Sequence, residues 1–186
     1  DMQRVVVAID PAASSGGEEG QAETGIVVAG IGTDGRGYVL DDVSCRQSPN
    51  GWARQAVAAY DLYAADAIVA EVNQGGEMVE QTIRSVRPGV SYIGVRASRG
   101  KVTRAEPVAA LYEQGRVAHV GSFPALEDQM VLFTPLGIEG GTTADRTDAL
   151  VWAMTELFPS IVHRAETPVD WAQTFVSKGA GAWMAG

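Results

Sequence analysis

Cysteine is nearly absent from this chain. One cysteine, Cys45, in 186 residues leaves no internal disulfide and no cysteine-based zinc cluster. With only 2 histidines, a His-rich metal set is excluded as well. No apolar run reaches the ~18 residues that a membrane helix needs. The opening Asp1 to Val7 has no basic leader, and its apolar stretch is too short for a signal peptide. No membrane partner is expected, and a cytosolic (cytoplasmic) setting is the simplest expectation. No G-x-x-x-x-G-K-[ST] pattern occurs, so these residues carry no P-loop. Basic residues are also scarce. Lys and Arg number 14 against 23 Asp and Glu, a formal net charge of −9. A phosphate backbone prefers a basic partner, so the total argues against nucleic acid.

Distribution qualifies that total. Arg84, Arg87, Arg96, Arg99, Lys101 and Arg104 follow one another with no acid between Arg84 and Arg104. This is a local basic band in an acidic chain, read either as a phosphate-binding stripe or as a solvated face.

Arg4 to Asp10, Thr24 to Ile31 and Tyr38 to Ser44 read as three strands, the last two joined as a hairpin. Gly30, Gly32 and Gly35 spell G-x-G-x-x-G, but a strand follows where a dinucleotide site needs a helix, so they read as a turn. Pro11 to Glu23 is a Gly/Ser/Ala/Glu-rich loop. Helices are expected over Asn50 to Ala64, Glu77 to Val86, Glu106 to Gln114 and Pro124 to Phe133, and a strongly amphipathic one over Asp145 to Phe158. Between them lie strands over Ala67 to Val72, Ser91 to Val95 and Arg116 to Val120. Thr134 to Ala144 reads as a loop, and 159–186 as a tail or linker following one domain over 1–158. A meander followed by alternating strands and helices implies an α/β fold: one mixed sheet, a three-strand antiparallel meander plus parallel strands, with helices packed on it.

Four acids stand where stability alone would not put them. Asp10 ends an aliphatic strand, and Glu71 lies in the strand Ala-Ile-Val-Ala-Glu-Val, where Glu is disfavoured. Asp145 and Asp148 lie three apart in the first turn of the last long helix. An unpaired buried carboxylate is costly. A pair of divalent cations held by oxygen donors would satisfy such a set and can hydrolyse a phosphodiester. Each acid also has a plainer reading: Asp10 as a turn residue before Pro11, Asp145 as an N-cap, Asp148 as a first-turn acid favoured by the helix dipole. His119, Cys45, Trp52, Tyr60, Tyr63 and Trp152 read as packing residues.

A strand ending in Asp-Pro, a later strand carrying Glu and a helix opening Asp-x-x-Asp-Ala-Leu resemble the ribonuclease-H-like nucleases. The stretches EVNQGGEMVEQTI, KVTRAEPVAALYEQGRVAHVG, FPALEDQM and DRTDALVWA narrow this. They resemble the C-terminal nuclease domain of phage or prophage terminase large subunits, from about Val5 to Phe158. The resemblance implies a ribonuclease-H-like fold with helices on both faces of the sheet. It implies a divalent-metal-dependent DNA endonuclease, using two Mg²⁺ or Mn²⁺ ions, that cuts concatemeric viral DNA during packaging. Asp10, Glu71, Asp145 and Asp148 would be its metal ligands and catalytic acids. Lys101, Arg104 and Arg99 would be contacts to the DNA backbone. Double-stranded DNA, portal, small terminase subunit and a preceding ATPase domain are the implied partners, in the cytoplasm of a host cell. Competing readings are a Holliday-junction resolvase, an actin-like nucleotide binder, for which the chain is short, and a non-catalytic docking domain of the same fold.

Overall fold

The computed structural model describes residues 1–11, 22–72, 76–97, 100–134, 137–138 and 143–162. Its centre is a six-stranded sheet in the order β5-β4-β1-β2-β3-β6. The strands are β1 (Met2–Asp10), β2 (Gly25–Gly32), β3 (Gly37–Asp42), β4 (Ala67–Glu71), β5 (Tyr92–Val95) and β6 (Val117–His119). β1, β2 and β3 form the antiparallel meander. β4 joins β1 in parallel, β5 joins β4 in parallel and β6 joins β3 in parallel. The expected mixed sheet is present. The glycine triplet is the β2–β3 turn, where Gly35 takes φ +75°, a conformation that glycine adopts without steric cost.

Alternation along the strands sorts the core into two layers. Val5, Val7, Ile9, Ile26, Val28, Ile68 and Ala70 face one side. There they pack on α1 (Pro49–Leu62) and α2 (Gly76–Val86), through Trp52, Ala56, Val79 and Ile83. Val6, Ala8, Val27, Ala29 and Val69 face the other side, against α5 (Asp145–Leu157). α5 buries ten of its 13 residues. Such a helix must be enclosed on all sides. The sheet covers one side, and α3 (Lys101–Glu113) and α4 (Pro124–Val131) supply Val108, Leu111 and Leu126 to the other. Helices therefore lie on both faces. No helix among the described residues is long and apolar enough to cross a membrane.

Three expectations shift. The third helix begins at Lys101, not Glu106, and carries Pro107 inside it. A proline there removes a backbone hydrogen bond, so the early turns need other anchors. Lys101 and Arg104 provide them through the ion pairs described below. The stretch expected to be a loop contains a short hairpin, β7 (Phe133–Thr134) with β8 (Gly137–Ile138). The segment after Phe158 opens with a four-residue helix, α6 (Pro159–Val162). Residues 163–186, most of the expected tail, lie outside the described residues, as do 12–21 of the expected loop.

The pieces singled out in the sequence interlock around α4. His119 on β6 is bonded to the Tyr112 hydroxyl through Nε2 at 2.8 Å and to Glu127 through Nδ1 at 2.9 Å. Gln129 accepts from the Arg146 backbone N–H at 3.0 Å and donates to Glu23 at 3.0 Å. Arg146 forms a fork on Glu23 at 2.9 and 3.0 Å and reaches Asp42 at 2.5 Å. Through this network, α5 and α4 are fastened to the two ends of the hairpin strands.

Candidate active site

Asp10 is the last residue of β1 and Glu71 the last of β4. The two strands run parallel with Ile9 opposite Ala70, so the acids follow side by side at the C-terminal ends of two central strands. Counting by twos from Val6 and Ala8, Asp10 points to the α5 face. Counting from Val69, so does Glu71. α5 begins above these strand ends. Its N-cap is Ala144, with no side-chain cap, so Asp145 and Asp148 are the first and fourth residues of the helix. The capping role open to Asp145 in the sequence is not the one it takes.

The close approach of α5 depends on Gly25. This residue pairs with Asp10 across the β1–β2 ladder. A Cβ placed there would stand 1.9 Å from the Asp145 carbonyl oxygen. Only glycine admits the helix start this close to Asp10.

All four acids contribute to one electrostatic cluster. Burial, and then the charges of Asp148, Glu71 and Asp145, push the Asp10 carboxyl up to about 8, with Lys101 acting the other way. Burial also raises the Asp145 carboxyl above its ordinary value, and Asp148 adds to the shift. Asp148 is 2% exposed. Lys101 is bonded to Asp148 Oδ2. Burial works against the Lys101 ammonium, but the bond and charge of Asp148 hold its pKa above the ordinary lysine value. Arg104 lies 3.7 Å from Glu71 and 3.6 Å from Asp148.

The basic band is therefore not an open stripe. Arg84 is paired with Glu80 at 2.8 Å and Arg87 with Asp61 at 2.6 Å. Lys101 and Arg104 face the carboxylates. Arg104 is 11% exposed, on the face of the Trp152 ring rather than on a surface open to a duplex, whereas Lys101 is 48% exposed. Arg96 is exposed at the end of β5, and Arg99 lies outside the described residues. Sequence reasoning missed one participant. Trp152, read as core, donates its indole N–H to Glu71 Oε2 at 3.0 Å. Its spacing held the signal: Asp145, Asp148 and Trp152 stand at i, i+3 and i+7, on one helical face.

The donor set is all oxygen and suits a hard divalent cation. The elevated Asp10 pKa reflects burial first and then like charges, which Lys101 does not fully balance. Among the described residues, no three of these side chains are gathered closely enough to hold one ion as they stand. Lys101 occupies an Asp148 oxygen that such an ion would use. The residues fit a divalent cation, with Lys101 displaced.

A family model described as a terminase RNase H-like domain matches residues 7–157. No curated protein matches the chain. Among solved structures, the large terminase nuclease of thermophilic phage G20c is similar in its magnesium-bound form at TM-score 0.61 and 16% identity, and in its cobalt-bound form at 0.60 and 13%. Each comparison covers 82% of this chain and 81% of that one. The yeast mitochondrial Holliday junction resolvase is similar at TM-score 0.52 and 11% identity, over 91% of this chain and 83% of that one. These likenesses are of fold.

Proposed function

Since the chain belongs to the terminase RNase H-like domain family, we propose that it is a divalent-metal-dependent DNA endonuclease acting in the packaging of viral DNA. One observation carries the reading. Four carboxylates from β1, β4 and α5 lie together at the C-terminal ends of the central strands, and burial and mutual repulsion raise the Asp10 carboxyl to about 8. Lys101 and Arg104 offset the cluster only in part, and a divalent cation would complete it.

Asp10, Glu71, Asp145 and Asp148 would hold Mg²⁺ or Mn²⁺, and four carboxylates are enough donors for two ions. Bound there, the ions supply a water activated for attack and neutralise the charge that develops on the phosphodiester. The chain's own groups do the rest. Asp10 and Glu71 present their oxygens from rigid strand ends. Asp145 and Asp148 close the cluster from the helix above. Lys101, half exposed and already at the cluster's rim, swings from Asp148 to a phosphate oxygen of the incoming strand. Arg99 belongs to the same reading as a backbone contact. Because the net charge is −9, the isolated domain binds DNA weakly, and an ATPase domain preceding it holds the duplex. Portal and small terminase subunit complete the assembly, in the host cytoplasm.

Incubation with supercoiled plasmid in Mg²⁺, Mn²⁺ or EDTA tests this. Nicking and linearisation should appear with either metal and vanish in EDTA. Asp10→Asn and Glu71→Gln should each abolish cutting while the protein stays folded. Equal cutting in EDTA would refute the metal reading. No cutting in any condition, with tight binding to a packaging partner, would make this a docking domain of the same fold.

A further inference from the structure

Two largely buried arginines among the described residues, Arg146 and Arg104, are treated in opposite ways. Arg146 is fully engaged, with short hydrogen bonds to Glu23 and Asp42 of 2.5 to 3.0 Å. These lengths belong to charge-assisted forks that fasten structure. Arg104 is about as buried, yet it stands 3.6 and 3.7 Å from its two carboxylates, beyond hydrogen-bond length. Its Nε and Nη1 are buried with no hydrogen-bond partner among the described residues. An arginine kept for stability would not leave these donors unmatched.

What holds Arg104 in place is an aromatic face. Its guanidinium carbon lies 4.4 Å from the centre of the Trp152 ring, in the range of a cation–π contact. That same ring donates its N–H to Glu71 at 3.0 Å. Trp152 therefore serves two neighbours at once. Its edge fixes a Glu71 oxygen, and its face carries the cation that spans Glu71 and Asp148. A phenylalanine would keep the face and lose the N–H. A lysine at 104 would keep the charge and lose the planar stack.

We propose that Trp152 and Arg104 are positioning residues for the carboxylate cluster, orienting Glu71 and Asp148 toward a common point before a divalent cation arrives. The inference rests on the nuclease reading above and deepens it. Arg104 balances the two charges without locking their oxygens into hydrogen bonds, as a group that must yield to a metal should. Its duty is to the cluster, not to the DNA backbone.

The test is Mn²⁺ affinity by calorimetry on the whole chain, with kcat and KM on plasmid DNA. Outer-sphere partners of metal ligands typically contribute about 10- to 100-fold in metal affinity. Trp152→Phe should weaken Mn²⁺ binding by roughly that factor. Its cleavage should recover as Mn²⁺ is raised, with KM for DNA nearly unchanged. Arg104→Lys should fall between wild type and Arg104→Met. Trp52→Phe makes the same change in the opposite core layer, where Trp52 is also buried, and should bind Mn²⁺ as wild type does. Arg104→Lys keeps the charge and leaves every apolar core side chain in place, so its result stands even if Trp152→Phe folds poorly. A second readout is ¹⁹F NMR of 5-fluorotryptophan-labelled protein. Of 4 indole signals, the one missing from Trp152→Phe should shift with Mg²⁺. If wild type binds Mn²⁺ and both variants bind it equally well, the positioning role is wrong and the nuclease reading survives. A change in KM and salt dependence alone would make Arg104 a DNA contact instead. If wild type binds no divalent cation, the nuclease reading fails and the inference falls with it.

Discussion

A single methyl group should disable the site without touching any of its charges. Gly25 pairs with Asp10 across β1 and β2 and faces α5. In Gly25→Ala, the new Cβ would lie 1.9 Å from the Asp145 carbonyl oxygen, 2.3 Å from its carbon and 2.9 Å from the Arg146 nitrogen. Real Cβ atoms essentially never come within 3.0 Å of such atoms, so the start of α5 must retreat by at least 3.0 − 1.9 = 1.1 Å. The contacted atoms are backbone, so no rotamer change relieves the clash. Overpacking of this kind costs about 1–3 kcal/mol. For a domain of this size, that lowers Tm by roughly 2–4 °C per kcal/mol. The effect on cleavage should be larger than the effect on stability. A displacement of about 1 Å in a reacting constellation costs on the order of 100-fold, and here it carries Asp145 and Asp148 away from Asp10 and Glu71 together. The assay is Mn²⁺-dependent plasmid nicking well below the variant's Tm, with circular dichroism to confirm folding. Wild-type cutting by a Gly25→Ala protein of unchanged Tm would refute the placement of α5 over Gly25, and with it the argument that this glycine builds the site.

Two further outcomes follow from the same geometry. Arg146→Ala strips the closest cation from Glu23 and from Asp42, whose side chain is 4% exposed, and leaves them only Gln129, Arg46 and Ser44. Removing one side of a buried ion pair costs about 3–5 kcal/mol. Urea denaturation should show a loss of that order, and a loss below about 1 kcal/mol would mean that the network is not structural. The metal-free protein should also lose stability as pH rises. Asp10 has a folded pKa near 8 against an ordinary 3.8. Its contribution is therefore full below about pH 4, declines by up to about 1.4 kcal/mol per pH unit, and is spent above pH 8. Thermal melts in EDTA should show the wild type falling relative to Asp10→Asn across that window, and parallel melts would remove Asp10 from the cluster.

Much of this was legible because the period of a strand and that of a helix convert spacing into direction. Asp10 and Glu71 were conspicuous as charges in aliphatic strands, and the alternation that buries Val6, Ala8 and Val69 turns both acids toward α5. The hairpin and the parallel strands likewise follow from patterns within each segment, whereas α5 reads as a one-sided amphipathic helix and is in fact enclosed nearly all round. What was not legible depends on partners distant in sequence. The basic band looked open because Asp61 and Asp148 lie outside it along the chain, although they meet Arg87 and Lys101 in space. Trp152 looked like packing because aromatic burial and an aromatic hydrogen bond leave the same mark in a sequence. α3 starts five residues earlier than the pattern of Glu106 to Gln114 predicts, in a first turn whose Lys101 and Arg104 face acids on other elements. Nothing local announces that Lys101 and Arg104 are held by acids on β4 and α5.

The separation of structural from functional charge also emerges only in three dimensions, and it is a question of which force wins at each group. Burial alone would raise the Glu23 carboxyl, but the hydrogen bonds and charge of Arg146 overcome it and hold Glu23 below its ordinary value. Asp10 is also buried, and its strongest charged neighbour is another carboxylate, so burial and repulsion act together and Lys101 cannot reverse them. Each arginine follows its acids. At the structural set Arg146 is in close contact with its acids; at the candidate site Arg104 stands off at 3.6 and 3.7 Å. A chain under selection for stability alone would have closed the second set as it closed the first. The open set lies where a strand end, a neighbouring strand end and a helix start meet around a glycine that leaves room for nothing else. A carboxyl raised by burial and by neighbouring acids at such a junction is the expected signature of a functional site.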